Sequence, residues 1–252
     1  MGGAMARSFV ASGMILPEDI TVTAKHSSTL QPFSELGIRT SLDNREAVSG
    51  SDVVFIAVKP WLVKEVVEQI KDNLDLSVQL IACVAAGIQG KDLLSWLDKG
   101  DGVMPSLVYI IPNTAIEVLE SMTFIAPVSC SQEQTAMMEE LFGKTGSAIV
   151  TDEAHLKAGT ALASCGIAYA FRYIRAAAEG GVELGFRASD AAHIVAQTVK
   201  GAASLLEAHK SHPEVEIDKV TTPGGITIKG LNEMERNGFT NAVISGLKAT
   251  GK

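Results

Sequence analysis

The sequence predicts two domains: an α/β domain built on a parallel sheet covered by helices over residues 1–152, and an all-α domain over residues 153–252. Three observations predict this. Short β-rich runs alternate with amphipathic stretches up to about residue 150, the runs then stop, and Ala-rich segments of helical length replace them. The runs are residues 20–24, 53–58, 79–85, 107–111 and 122–126, each strand-length and nearly all apolar. From Trp61 to Leu74, Leu62, Val63, Val66, Val67 and Ile70 recur at helical spacing, while Lys64, Glu65, Glu68 and Lys71 fall mostly opposite. That pattern predicts a crossover helix. In the second domain the Ala-rich segments predict long helices over 154–185 and 188–209, interrupted near Gly185. Its many apolar residues, such as Ile167, Phe171, Ile174, Ile194 and Val199, predict burial against a second copy; a self-contained bundle is the alternative.

Composition narrows the function. A chain of 252 residues with 46% hydrophobic and 20% charged residues is an ordinary soluble globular protein. Its net charge of −8, with no basic block, argues against nucleic-acid binding. No apolar run reaches the roughly 18 residues that span a bilayer, and the start lacks a basic region followed by an apolar stretch. Cys83, Cys130 and Cys165 form no Cys-x-x-Cys pair, so neither a disulfide framework nor a zinc site is expected, and a reducing cytoplasm is the expected compartment. His209 and His212 lack the carboxylates or cysteines that would complete a metal site, so no metal is expected. Trp61 and Trp96 read as packing residues, and small-molecule chemistry is the class that remains.

The most informative stretch is Val220 to Leu231. Thr222 can cap a helix, Pro223 suits its first position, and Gly224 and Gly225 leave backbone N–H groups open to an anion such as a carboxylate. Thr227, about one turn on, adds a hydroxyl beside that anion. In the first domain, Met1-Gly2-Gly3-Ala4-Met5-Ala6 reads as the end of a glycine-rich phosphate turn running into its helix. We therefore expect Met1 to be internal to a longer native chain, with about ten further residues supplying the preceding strand and first glycines.

With these stretches, Ala57-Val58-Lys59-Pro60, Ala85-Ala86-Gly87-Ile88, Pro112-Asn113-Thr114, Glu179-Gly180-Gly181-Val182 and Gln197-Thr198-Val199-Lys200-Gly201 carry a resemblance over nearly the whole chain. The sequence resembles the pyrroline-5-carboxylate reductase family. The resemblance implies a Rossmann-like N-terminal domain, here without its first strand, and a helical C-terminal dimerisation domain. It implies NAD(P)H-dependent reduction of 1-pyrroline-5-carboxylate to L-proline, the last step of proline biosynthesis, in a homodimer or higher homo-oligomer. It places the substrate carboxylate on Thr222, Gly224 and Gly225 and the imine nitrogen at Thr227, which orients that nitrogen and relays a proton from water. Met1, Gly2, Asn44, Ala57, Val58, Lys59, Pro60, Ala85, Ala86 and Asn113 are implied to bind the cofactor.

After residues 20–24 no Asp or Glu is present to hold an NAD ribose; Lys25, His26, Ser27 and Ser28 supply a cation and hydroxyls suited to the 2′-phosphate of NADPH, with NADH also possible. The chain departs from the family at Ser164-Cys165-Gly166-Ile167-Ala168-Tyr169, where relatives read Gly-Ser-Gly-Pro-Ala-Tyr, and at Ala115, where they carry Pro. Two rivals remain: a non-catalytic or truncated paralogue that binds nucleotide, favoured by these differences, and a β-hydroxyacid dehydrogenase-like enzyme using Lys157, which shares the two-domain plan but lacks that class's Asn partner.

Overall fold

A computed structural model describes residues 1–251. The chain divides into two compact units, Met1–Ser164 and Cys165–Lys252.

The first unit contains helices α1 (Gly2–Ala11), α2 (Ser27–Ser34), α3 (Asn44–Val48), α4 (Val63–Ile70), α5 (Gly90–Leu97), α6 (Gln132–Gly143) and α7 (Leu156–Gly159). Strands β1 (Thr21–Thr23) and β2 (Arg39–Ser41) pair in parallel as one sheet; β3 (Val53–Ile56), β4 (Leu80–Cys83), β5 (Ser106–Ile111), β6 (Ser121–Pro127) and β7 (Gly146–Val150) form a second, in that order. All five predicted runs are strands. β-branched and apolar side chains make them so because the central strands are buried on both faces. In β4, Ile81 and Cys83 face a layer with Val63, Val67 and Ile70 of α4 and Leu93 and Leu97 of α5, whereas Leu80 and Ala82 face Met5 and Phe9 of α1 and Met138 and Phe142 of α6. Edge-on packing of Phe9 on Phe142, with centroids 5.4 Å apart, seats α1 under the sheet.

Three expectations are corrected here. The sheet is not wholly parallel: β6 runs antiparallel to β5, because the link between them is shorter than the dozen or so residues a crossover needs. The predicted crossover helix is an α-helix only over α4, flanked by 3₁₀ turns at Pro60–Leu62 and Lys71–Asn73. No continuous helix runs from 154; a 3₁₀ turn, α7 and a π-turn at Thr160–Ser164 precede the next helix. By compactness the units part at 164/165, with residues 153–164 packed onto the first unit: a Cβ on Gly159 would lie 2.9 Å from the Phe124 ring of β6.

The second unit holds α8 (Gly166–Glu183), α9 (Ala188–His209), α10 (Pro213–Lys219), α11 (Ile226–Arg236) and α12 (Phe239–Thr250). The short link at Leu184-Gly185, with Gly185 at φ 102°, folds α8 and α9 into a hairpin whose helices approach closely, a Cβ on Gly181 falling 3.0 Å from that of Ala191. Among its described residues only Ala178 and Ala191 are buried hydrophobics, while Phe171, Val182, Leu184 and Phe186 are exposed. At the corner between α9 and α10, Glu216 accepts from Lys219 Nζ (2.7 Å) and Ser211 Oγ (2.5 Å) and faces His209 Nδ1 (3.2 Å). The Lys219 bond, then the Ser211 bond, hold its carboxyl down at about 2, from 4.5. A depressed carboxyl stabilises the fold above its unfolded value and loses that contribution as pH falls from about 4.5 towards about 2. Glu216→Gln is expected to lower Tm at pH 6 and to flatten its fall between pH 5 and about 2; an unchanged acid limb in thermal melts counts against the corner as the acid-labile point.

Candidate functional site

In the first unit the candidate residues gather at the carboxyl ends of the parallel strands, where open α/β sheets hold ligands. Met1 is the N-cap residue of α1 and supplies no side-chain cap, its carbonyl accepting from Met5 N–H at 3.0 Å. The N–H groups of Gly2, Gly3 and Ala4 are thus free of intrahelical partners and lie at the positive end of the helix. Gly2 faces the loop after β3 so closely that a Cβ on it would lie 3.0 Å from Ala57 Cβ. Two stretches more than fifty residues apart in sequence therefore meet here.

Val58 is half-buried, and exposed Lys59 takes an extended backbone whose carbonyl accepts from Leu62 N–H (2.9 Å), with Pro60 opening the 3₁₀ turn. After β4, Ala85 is buried and Ala86 exposed, and Gly87 at φ 85° lets the chain turn towards α5. After β1, Lys25, His26 and Ser27 are all exposed, with His26 as the extended N-cap residue of α2 and no side-chain cap there. Asn44 opens α3, where its Oδ1 accepts from Thr23 Oγ1 (2.6 Å) and its Nδ2 donates to Gln69 Oε1 (2.8 Å), tying β1, α3 and α4 together.

Asn113 is different in kind. Its side chain is buried and turned inward: Oδ1 accepts from Ala115 N–H (3.0 Å) and Nδ2 donates to the Ala163 carbonyl (3.5 Å). Trp61 is also not the packing residue expected from sequence, since 75% of it is exposed beside Pro60; Trp96 does pack against the core. Burial pushes the Cys83 thiol up to about 11 and raises the Tyr109 phenol, whose OH has no partner, so neither buried group is poised to give or take a proton near neutrality.

In the second unit, the Thr222–Gly225 stretch is a turn and not the start of a helix. Gly225 N–H donates to the Thr222 carbonyl at 2.9 Å, with Pro223 second and Gly224 third at φ 72°, the pattern of a type II turn. Helix α11 begins at Ile226 with Gly225 as its N-cap residue. Thr222 is thus not the helix cap and Pro223 not its first residue, because Gly224's left-handed backbone delays the helix by three residues. The amide expected from Gly225 is taken by the turn. The free donors are the first-turn N–H groups of Ile226, Thr227 and Ile228, for which α11 supplies no side-chain cap. Thr222 and Thr227 are both exposed.

Sequence reading missed Glu153, whose Oε1 accepts from Gly90 N–H at 2.8 Å. No local pattern marks it, because the acceptor comes from another element while Gln89 makes no side-chain cap.

Residues 153–252 match the family described as pyrroline-5-carboxylate reductase dimerisation, and residues 1–87 match NADP oxidoreductase coenzyme F420-dependent. The chain is 39% identical over 261 residues to pyrroline-5-carboxylate reductase 2 of Dictyostelium discoideum, covering 98% of this chain and 86% of that protein. It is 39% identical over 259 residues to pyrroline-5-carboxylate reductase 1 of the same organism, where the match covers 98% of this chain but 46% of the relative, so the chain spans about half of that protein's length. Among solved structures, a pyrroline-5-carboxylate reductase from Coxiella burnetii superposes with a TM-score of 0.89 at 29% identity, over 99% of this chain and 93% of that one. Among the described residues no helix is long and apolar enough to cross a membrane.

Proposed function

Because the chain belongs to the pyrroline-5-carboxylate reductase family, we propose that it reduces 1-pyrroline-5-carboxylate to L-proline with NADPH, the closing step of proline biosynthesis. The protein is an oxidoreductase. The observation that carries the reading is the uncapped start of α11 behind a glycine turn, which offers neutral amide donors to a carboxylate. Neutral donors suit this substrate, because a fixed cation at the same place would oppose the protonated imine.

The residues of the first unit fit a dinucleotide. A Cβ at Gly2 would press on Ala57, so the backbone there stays open to a phosphate, and the amides of Gly2, Gly3 and Ala4 point free. Lys25, His26 and Ser27 present a cation and donors for a 2′-phosphate. Asn44 holds the adenosine side in place, and Val58, Lys59, Pro60, Ala85 and Ala86 line the approach. Asn113 serves the cofactor site by shaping its loop, its own polar atoms being spent on Ala115 and Ala163.

NADPH, when bound, supplies the hydride that adds to the C=N carbon. The amides of Ile226, Thr227 and Ile228, with Thr222 and the Gly224-Gly225 turn, hold the carboxylate. The Thr227 hydroxyl orients the ring nitrogen, which gains its proton from water through that hydroxyl; a threonine is too weak an acid to serve otherwise. The protein is proposed to act in the cytoplasm as a homodimer or larger homo-oligomer joined by its C-terminal helices. That assembly is supported by the near absence of buried hydrophobics in the second unit and by the exposed Phe171 and Val182 on α8.

The test is to mix protein, NADPH and 1-pyrroline-5-carboxylate and to follow nicotinamide absorbance and proline together. Equal losses and gains are expected, with Thr227→Val lowering kcat and Lys25→Glu reducing the preference for NADPH over NADH about ten-fold. Failure to form proline removes the reading.

A further inference from the structure

We infer that Glu153 is a positioning residue for the cofactor: it caps α5 from a distant part of the chain and so sets the shape of the Val84–Gln89 loop. This rests on the reading above, in which that loop receives NADPH.

The loop is held at both ends. At its start, Val84 N–H donates to the Ile56 carbonyl of β3 at 3.0 Å. At its end, α5 begins without a side-chain cap of its own, its N-cap residue being Gln89. Glu153 Oε1 supplies the missing acceptor, taking the Gly90 N–H at 2.8 Å across 63 residues of sequence. A carboxylate at a helix N-terminus also meets the positive end of the helix dipole. Gly90 is what admits it: a Cβ there would lie 2.8 Å from Glu153 Oε2 and 2.8 Å from Val128 Cγ1.

The neighbouring Asp152 frees Glu153 for this task. Asp152 Oδ1 accepts from His155 N–H (2.9 Å) and faces His155 Nδ1 (2.7 Å), so it caps the 3₁₀ turn Glu153–His155 by itself. Ten and eleven positions on from Glu153 lies a second clasp, where the Ala163 carbonyl accepts from Asn113 (3.5 Å) and Ser164 Oγ donates to the Pro112 carbonyl (3.4 Å). Residues 153–164 thus brace the loops after both β4 and β5, and Ala85, Ala86 and Asn113 lie in those loops.

Glu153 is exposed, so its replacement leaves the core intact. NADPH affinity is measured first on the parent protein by nucleotide fluorescence, then with the steady-state constants of Glu153→Ala and Glu153→Gln. Loss of a cap of this kind predicts an NADPH Kd and KM raised about five-fold in Glu153→Ala, with the KM for 1-pyrroline-5-carboxylate unchanged. Glu153→Gln keeps an acceptor oxygen and is expected to restore most of the affinity. An Ala variant that binds NADPH like the parent, or a Gln variant as impaired as Ala, overturns the role of Glu153 alone. A parent protein that fails to bind NADPH overturns the cofactor reading, and this inference with it.

Discussion

Gly225→Val is expected to reduce kcat/KM for 1-pyrroline-5-carboxylate at least about a hundred-fold while leaving NADPH affinity unchanged, the scale seen when a preorganised backbone donor site is lost. A Cβ at this position would come within 2.6 Å of Thr222 Oγ1 and 3.0 Å of the Thr222 carbonyl oxygen. The hydroxyl can rotate away. The carbonyl cannot, because it is the acceptor that closes the turn on Gly225 N–H. Valine's branched carbon adds two methyls to that conflict, so the turn must open, and the amides of Ile226, Thr227 and Ile228 lose their common aim. Gly225→Ala, which meets the same carbonyl with one methyl, is expected to fall between valine and the parent. The two outcomes separate the substrate site from the cofactor site, since the turn and the nucleotide loops belong to different units. A valine variant with parental kcat/KM removes the carboxylate from this turn.

The parts of this architecture that were legible from sequence are those where one physical demand dominates a segment. Residues 53–56, 80–83 and 106–111 are read correctly because burial on both faces requires apolar side chains at successive positions. Arg39–Ser41 and Gly146–Val150 escape, being short or partly exposed strands whose side chains carry no such run. The reversal of β6 depends on the length of a connection and not on the strand's own residues. Among the C-terminal helices Ala188–His209 is read to its bounds, but α8 starts twelve residues later than expected, with Gly159 set against Phe124 ahead of it, and α10 and α12 escape the reading. At the Thr222–Gly225 turn the residue types misplaced the open donors: Thr-Pro-Gly-Gly suits a helix start and a type II turn alike, and the positive φ of Gly224 decides between them. Glu153 was invisible for a related reason, since a cap supplied from another element leaves no mark beside the helix it serves.

Gly2→Val is expected to weaken NADPH binding about ten- to a hundred-fold, the cost of losing one or two charge-assisted amide bonds to phosphate. The helix start and the loop after β3 are already at the limit of approach, with 3.0 Å between the place of a Gly2 Cβ and the Cβ of Ala57. Ala57 has little room to yield: β3 ahead of it is paired to β4 through its whole length. The helix must therefore retreat, carrying the free amides of Gly2, Gly3 and Ala4 away from the nucleotide; overpacking of this kind costs about 1–3 kcal/mol. General destabilisation would also weaken binding, so the decisive variant restores the space from the other side. Ala57→Gly combined with Gly2→Ala removes the colliding pair, and the double variant is expected to bind NADPH more tightly than Gly2→Ala alone, a coupling that independent sites do not show. If the two changes simply add, the contact between α1 and the β3 loop is not what shapes the nucleotide site.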